Sequence, residues 1–146
     1  MNKSKPVYTG SCLCGLIRFQ IDAFMPHIAH CHCTMCQKFH GAAFSTFGEV
    51  KNVHFHWLEG EEHIKQFQAD NQSIRYFCDT CGSSLLFCSQ YNKADNTIEV
   101  AIATIDTANE LEPDAHIYTK TKVSWFDIND DLPQFLAYRS TTKPSK

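Results

Sequence analysis

Seven of the eight cysteines stand in three short clusters, and their spacing constrains this chain more than any other feature. The clusters are a CxC pair at residues 12–14, a CxCxxC triplet at residues 31–36 and a CxxC pair at residues 78–81. Closely spaced thiols favour metal binding, and zinc in particular is bound by thiolates. A structural zinc uses four protein ligands, whereas a catalytic zinc uses three and keeps one position for water or substrate. Seven clustered thiols therefore predict one closed and one open site.

The CxxC pair has the form of a zinc knuckle, in which a tight turn directs two thiolates at one metal and Gly82 relieves the crowded backbone. By number alone, its partner is either the CxC pair or two members of the triplet. The CxC pair is favoured, because it leaves the triplet complete and because it closes a loop of about 60 residues. The predicted closed site consists of Cys12, Cys14, Cys78 and Cys81. The predicted open site consists of Cys31, Cys33 and Cys36.

Length and composition predict one compact domain. The chain has 146 residues, of which 43% are hydrophobic, and this is typical of a single core. We expect one domain over residues 1–146, with an ordered core at about 7–139 and loose polar ends. A formal net charge of -3 without a run of Lys or Arg gives no indication of nucleic-acid binding. With no apolar leader segment or membrane span, we expect a cytoplasmic protein whose thiols are reduced.

Alternating apolar residues predict a mainly β fold. Residues 16–21 alternate with the period of a half-buried strand, and similar β-rich patterns recur at 53–57, 74–77, 84–87 and 97–105. Polar residues at 59–61 and 92–96 predict turns between them. A short helix is expected to begin at residues 131–133, where an acidic residue and a proline precede apolar residues. No long helical period competes with the strands.

A zinc ion on three thiolates favours one kind of chemistry. Such a site carries a net negative formal charge, so it acidifies bound water less than a zinc held by neutral imidazoles does. Hydrolysis is therefore disfavoured. A soft site of this kind suits an incoming thiol, which loses its proton on coordination and can attack an electrophile such as an aldehyde. We therefore expect thiol activation at the open site.

Motifs along most of the chain match one known family. They are GSCLCG at residues 10–15, HCHCTMCQK at 30–38 followed by Gly41, FCDTCG at 77–82, and His116-Ile117 with Trp125. In order, spacing and flanking residues, the chain resembles the glutathione-dependent formaldehyde-activating enzymes, a family that includes centromere protein V-like members.

The resemblance implies a fold, two metal sites and an activity. The implied fold is Mss4-like and mainly β, with coiled antiparallel sheets held by zinc and with little helix. The implied cofactors are two Zn²⁺ ions per chain, a structural one on the four cysteines of the closed site and a catalytic one on Cys31, Cys33 and Cys36. The implied activity is that of a carbon-sulfur lyase, which joins formaldehyde and glutathione as S-(hydroxymethyl)glutathione. The expected partners are thus a small-molecule thiol and an aldehyde.

Histidines supply candidates for proton transfer, because the ordinary pKa of histidine is about 6.5. His32, His40 and His116 are the candidates, although His32 alternates with the cysteines and could instead face away from the metal. His54, His56 and His63 are expected at the surface. His27 and His30 are unassigned.

Several remaining side chains are expected to have structural roles. Aromatic residues are expected in the core and in the walls of the site, namely Phe39, Phe44, Phe47, Trp57 and Trp125. Lys120 and Lys122 are expected as solvated charges, with a contact to a substrate carboxylate as the alternative. Cys88 is expected as a small buried apolar residue.

Four other functions remain open at the level of sequence. The chain could be a non-enzymatic zinc module whose second site is closed by His30 or His32. The cysteines could hold an iron-sulfur cluster, although their spacing fits ferredoxin patterns poorly. The CxxC pair could cycle as a disulfide, although no βαβ pattern surrounds it. Cys88 could be the reactive thiol of a methionine sulfoxide reductase.

Overall fold

The computed structural model of the chain describes residues 7–139, and it is mainly β. Ten strands form two hydrogen-bonded sheets. The strands are β1 (Tyr8–Ser11), β2 (Arg18–Ile21), β3 (Ile28–Cys31), β4 (Ser45–Lys51), β5 (Phe55–Glu59), β6 (Ile64–Gln68), β7 (Ile74–Cys78), β8 (Ser84–Cys88), β9 (Thr97–Ala101) and β10 (Ala115–Ile117). The expected mainly β class with little helix is confirmed. The ends of the chain, expected to be loose, lie outside the described residues.

The internal contacts of the chain divide it into two compact units. The first comprises Met1–Pro26 and Gly48–Glu110, and the second comprises His27–Phe47 and Leu111–Lys146. Strand β4 passes from the second unit into the first between residues 47 and 48. The organisation as one domain stays a prediction.

The first unit contains a three-stranded sheet in the order β1-β2-β5, and its strands are antiparallel. The alternation predicted for residues 16–21 is present in β2, where Phe19 and Ile21 are fully buried and Arg18 is exposed. The remaining strands of this unit follow the order β4-β9-β8-β7-β6. Leu85 of β8 and Val100 of β9 join Phe19 and Ile21 in the core, so the predicted β-rich segments supply it.

The turn predicted at residues 59–61 depends on a glycine. Gly60 has a φ of 77°, a left-handed conformation that side chains with a Cβ rarely adopt. A Cβ at this position would also overlap the carbonyl oxygen of Leu16. The turn therefore requires glycine both for its backbone angle and for the close approach of the neighbouring segment.

The second unit contains strands β3 and β10 and helix α1 (Thr34–His40). Strands β3 and β10 are parallel, with His30 opposite His116, and they depart in this respect from the antiparallel arrangement of the first unit. Cys33 caps the start of helix α1, and Gly41, which has a φ of 58°, caps its end. Glycine is common at this position, because it adopts the left-handed conformation that stops a helix.

A second helix, α2 (Gln90–Asp95), replaces most of the turn predicted at residues 92–96. Ser89 and Asn92 form a capping box, in which each side chain bonds the backbone of the other residue. The turn prediction was wrong here because capping stabilises a short helix in a polar segment. No helix in the described part of the chain has the length and apolarity needed to cross a membrane.

The helix expected to begin at residues 131–133 is absent from residues 131–139, so this prediction was wrong. The segment pairs with β10 instead. The N–H of His116 donates to the carbonyl of Pro133, and the N–H of Phe135 donates to the carbonyl of His116, each at 2.9 Å. Because these backbone groups bond outside the segment, they are not available for helical bonds.

Candidate metal centres

Four cysteine sulfurs converge in the first unit. Cys12 and Cys14 follow β1, whereas Cys78 ends β7 and Cys81 lies in the next turn. The four sulfur atoms lie within 4.8 Å of one another, with 3.6 Å between Cys12 and Cys14 and 3.9 Å between Cys14 and Cys78. The structure thus brings together the four residues predicted for the closed site, across 64 positions of chain.

Backbone amides point at two of these sulfurs. The N–H of Ile17 donates to Cys12 Sγ at 3.4 Å. The N–H groups of Thr80 and Cys81 donate to Cys78 Sγ at 3.4 and 3.5 Å. Hydrogen bonds to sulfur stabilise the charged thiolate, which is the form that binds metal. The two tight turns therefore favour the thiolate form of these two sulfurs, which is the form that binds a cation.

The pKa values of two of these thiols, Cys81 and Cys14, are shifted in opposite directions. Burial acts to raise the pKa of Cys81, but hydrogen bonds, first among them that of Ser83, outweigh it and lower the pKa to about 5. A backbone hydrogen bond at Leu16 acts to lower the pKa of Cys14, but burial and the other sulfurs outweigh it and raise the pKa to about 12. Thiolates this close repel one another, so all four can be charged together only around a cation.

Three further sulfurs converge in the second unit. Cys31 ends β3, Cys33 caps α1, and Cys36 lies in the first turn of α1, where it is buried. Their sulfur atoms lie within 4.8 Å of one another. The sulfur of Cys33 also accepts a hydrogen bond from the N–H of Cys36 at 3.3 Å. The start of the helix therefore sets the spacing of two of the three sulfurs.

Protein side chains supply three ligand atoms to this second cluster. The neighbouring sulfurs of Cys33 and Cys36 raise the pKa of Cys31 well above its ordinary value, and burial acts in the same direction. Among residues 7–139, no histidine nitrogen or carboxylate oxygen joins the three sulfurs at that separation. A fourth ligand from His30 or His32, which the zinc-module alternative requires, has no geometric support.

The two donor sets fit metal ions. Both consist of sulfur alone, and soft thiolate ligands select zinc over magnesium or calcium. Four sulfurs match the coordination number of a closed tetrahedral site, and three match a site with one exchangeable position. The two cysteine clusters could therefore hold metal ions of the kind that the sequence predicts.

Two of the candidate proton donors, His32 and His116, are buried and contact each other. His32 Nε2 and His116 Nδ1 lie 2.8 Å apart, although the residues are 84 positions apart in sequence. His116 Nε2 lies 2.9 Å from a carboxylate oxygen of Asp130. Burial, followed by the electrostatic interaction with His116, lowers the pKa of His32 to about 4. His40 packs instead against Phe47, and proton transfer by any of the three stays a prediction.

The sequence patterns did not identify Asp130, the third side chain in this hydrogen-bonded row. It lies in a segment without regular secondary structure, 14 positions after His116, and no motif relates the two residues. The hydrogen bond from His116 lowers the pKa of Asp130, so this carboxylate stays charged and acts as an acceptor. The closeness of the two residues in sequence was the one available signal.

Other predicted residues have different surroundings from those expected. Trp125 is 73% exposed, so it does not pack in the core, and its expected place in a wall of the site stays a prediction. Lys122 is not a solvated charge, because its Nζ donates to the carbonyl oxygens of Val123 and Phe126 at 2.9 and 2.5 Å. Cys88 is buried as expected, and burial raises its pKa.

Three histidines expected at the surface form contacts with carboxylates. His54 and His56 both contact Asp22, at 3.4 and 2.7 Å, and all three of these side chains are partly exposed. His63 contacts Asp79 at 3.0 Å. None of these groups joins either cysteine cluster at the separation of the sulfurs.

Comparison with known proteins identifies the family. The sequence model of the family described as glutathione-dependent formaldehyde-activating enzyme matches residues 7–121, which is well over half of the chain. This chain belongs to that family. The match confirms the resemblance carried by the cysteine motifs, and it spans both cysteine clusters. As the name of the family states, it is a family of enzymes.

Individual relatives are distant but cover most of the chain. An uncharacterised lyase of Schizosaccharomyces pombe is 22% identical over 130 residues, which cover 89% of this chain and 91% of the relative. A protein of Halomonas elongata, provisionally named a glutathione-dependent formaldehyde-activating enzyme, is 27% identical and covers 82% of this chain and 79% of its own length. A crystal structure from Rhodobacter sphaeroides has a TM-score of 0.58 at 19% identity, covering 69% of this chain and 90% of that protein. This last likeness shows the fold alone.

Proposed function

We propose that the chain is a zinc-dependent carbon-sulfur lyase of the glutathione-dependent formaldehyde-activating type. It would add a thiol, glutathione or a similar one, to an aldehyde. A bond forms between sulfur and the carbonyl carbon, and the proton lost by the thiol is balanced by one gained at the aldehyde oxygen. With glutathione and formaldehyde, the product is S-(hydroxymethyl)glutathione. Membership of the family supports this reaction class.

The observation that carries the proposal is the three-sulfur cluster of Cys31, Cys33 and Cys36. Within residues 7–139, it has no fourth protein ligand atom at the separation of its sulfurs. We assign it the catalytic zinc, which when bound supplies a soft acid that stabilises a thiolate. The chain itself holds the three sulfurs in place through the end of β3 and the start of α1. We infer that the fourth coordination position takes the incoming thiol.

The four-cysteine cluster has a different proposed role. We assign it a structural zinc on Cys12, Cys14, Cys78 and Cys81, which makes two Zn²⁺ ions per chain. A closed tetrahedral site has no position for substrate, so it contributes to folding rather than to the reaction. The S–S distances and the N–H donors around Cys12 and Cys78 support this assignment.

The proposed reaction can be tested by NMR exchange spectroscopy with ¹³C-labelled formaldehyde and glutathione. The wild-type protein should accelerate exchange between free formaldehyde and its glutathione adduct above the uncatalysed rate. Cys33→Ser should lose this acceleration, because it removes one sulfur from the open cluster. Cys88→Ser is the matched control and should retain it, because Cys88 lies outside both clusters. No acceleration by the zinc-loaded wild type would refute the named reaction.

A panel of other thiols and aldehydes would define the substrates. Acceleration with a different pair would preserve the chemistry and change the substrate assignment. If the protein binds two zinc ions per chain and accelerates no pair, the non-enzymatic zinc module would be the better description. Metal analysis of wild type and Cys33→Ser would accompany each assay.

We also propose a cytoplasmic location. The structure contains eight free cysteines, with no disulfide among the described residues. Thiols in this number persist in a reducing compartment. Expression of a tagged full-length chain, followed by fractionation, would test the location.

A further inference from the structure

The second unit contains a row of three hydrogen-bonded polar side chains, of which His32 and His116 are buried and Asp130 is partly exposed. Asp130 accepts from His116, and the next bond in the row joins His116 to His32. His32 is the residue between Cys31 and Cys33. His32 and His116 are 0% and 2% exposed, so water does not compete for the bond between them.

The carboxylate determines which nitrogens in this row carry hydrogen. A charged carboxylate only accepts, so His116 Nε2 must donate to Asp130. In the neutral form of His116, Nδ1 is bare and accepts, so the opposing Nε2 of His32 donates to it. His32 Nδ1 has no hydrogen-bond partner among the described residues. Among the described residues, the bond to His116 is therefore the one polar contact that orients the His32 ring.

The backbone of His32 is tied to its surroundings as well. Its carbonyl oxygen accepts from Gln37 Nε2 at 2.7 Å and from Thr121 Oγ1 at 3.0 Å. Its N–H donates to the carbonyl of Ile117 at 3.0 Å. Aromatic packing surrounds the ring, with Phe44 at a centroid distance of 5.0 Å. A residue held at both backbone groups and at its ring leaves its two neighbours little freedom.

We propose that Asp130 and His116 are positioning residues, which hold His32 so that the sulfurs of Cys31 and Cys33 stay converged for metal binding. This inference rests on the proposed metal site. Neither residue joins the three sulfurs as a possible metal ligand. Their effect passes through the fixed ring and backbone of His32 to the cysteines on either side. Residues that orient metal ligands commonly change metal affinity by about 10-fold to 100-fold.

The test measures metal affinity at each cluster separately. Full-length protein is loaded with Co²⁺, whose thiolate charge-transfer bands report each site, and is titrated with a competing chelator. Cys33→Ser identifies the bands of the open cluster. Asp130→Ala and His116→Phe should weaken Co²⁺ binding at the open cluster by about 10-fold or more and leave the four-cysteine cluster unchanged. The four-cysteine cluster thus reports within the same molecule that the protein is folded.

Two further variants separate positioning from general stability. Asp130→Asn keeps an oxygen that can accept from His116, so it should retain most of the affinity. Asp114→Ala is the matched control, because Asp114 also contacts a histidine of the second unit, His27 at 2.8 Å, but is not part of the row. This control should bind Co²⁺ at both clusters as the wild type does.

A spectroscopic signature tests the hydrogen-bond argument directly. Proton-nitrogen correlation spectra of the imidazole rings should show hydrogen on Nε2 of both His32 and His116 in the wild type. Asp130→Ala should lose this fixed tautomer, and Asp130→Asn should keep it. Hydrogen on His32 Nδ1 in the wild type would overturn the argument.

The outcomes distinguish this inference from the proposed function. Unchanged affinity in Asp130→Ala and His116→Phe, with the open cluster occupied in the wild type, would overturn the positioning role alone. Equal loss at both clusters would overturn it too, because it would indicate general destabilisation. A wild type that binds no metal at the open cluster would instead refute the proposed function on which the inference rests.

Discussion

Single residues in this protein serve the fold and the candidate site at once. Cys33 is a predicted metal ligand and also the residue that caps α1, with its sulfur accepting from the N–H of Cys36. Serine caps helices well, so Cys33→Ser should keep the helix while it removes the ligand. This makes it a suitable variant for the tests of activity and metal binding.

The charge of Asp114 should stabilise the protein in a defined range of pH. Partial burial acts to raise the pKa of Asp114, but hydrogen bonds from Arg139 and His27 outweigh it and hold the pKa below its usual value. A carboxyl whose pKa is lowered by folding stabilises the protein above the unfolded value, near about 3.9, and this stabilisation is lost as the pH falls through the folded value.

Asp114→Asn should therefore lower the free energy of unfolding at pH 6, and the difference from wild type should shrink below about pH 4. Urea unfolding of both proteins in the same buffers measures it. Asp127→Asn, at an exposed aspartate, is the control and should differ little from wild type throughout. A deficit in Asp114→Asn that does not change with pH would contradict the assignment.

At the scale of elements, the protein contains helices that its sequence pattern conceals. Helix α2 lies in the polar run that we expected to form a turn, and its stability depends on contacts with strands of the first unit. Asn92 is buried, and its Nδ2 donates to Thr97 Oγ1 at 2.9 Å and lies 3.4 Å from Glu49 Oε2. Thr97 Oγ1 donates in turn to the same Glu49 oxygen at 2.6 Å. A network distant in sequence thus supports a six-residue helix.

Asn92→Asp should destabilise the protein by about 2–3 kcal/mol at neutral pH, because it replaces a buried donor with a second carboxylate facing Glu49. The measurement is the free energy of unfolding by urea. Glu49→Gln in the same chain should recover part of the loss, since it removes the repulsion. Purely additive effects of the two substitutions would indicate that the carboxylates do not meet.

At the scale of the whole molecule, the two cysteine clusters belong to different units and should contribute differently to stability. The closed cluster joins chain segments 64 positions apart, between Cys14 and Cys78. The open cluster spans residues 31–36 and closes no long loop. A link across the longer span should contribute about 4 kcal/mol through the entropy of the unfolded chain.

Metal removal should therefore lower the melting temperature by more than about 10 °C. Calorimetry with and without a chelator measures the shift, and metal analysis verifies removal. Cys81→Ser should abolish most of the chelator effect, whereas Cys33→Ser should keep it. An unchanged melting temperature after complete metal removal would show that the closed cluster does not hold the fold.

The sequence by itself determined the family, the mainly β class and the grouping of cysteines that the structure brings together. These signals are local, because motif spacing and strand alternation can be recognised within a few residues. The contacts of His32, Asn92 and Asp130 were decided by the tertiary structure alone. Each depends on which strands and loops become neighbours, and residues up to 89 positions apart meet through that packing. A short spacing identifies a pair of ligands, but only a folded chain determines which side chains hold them in place.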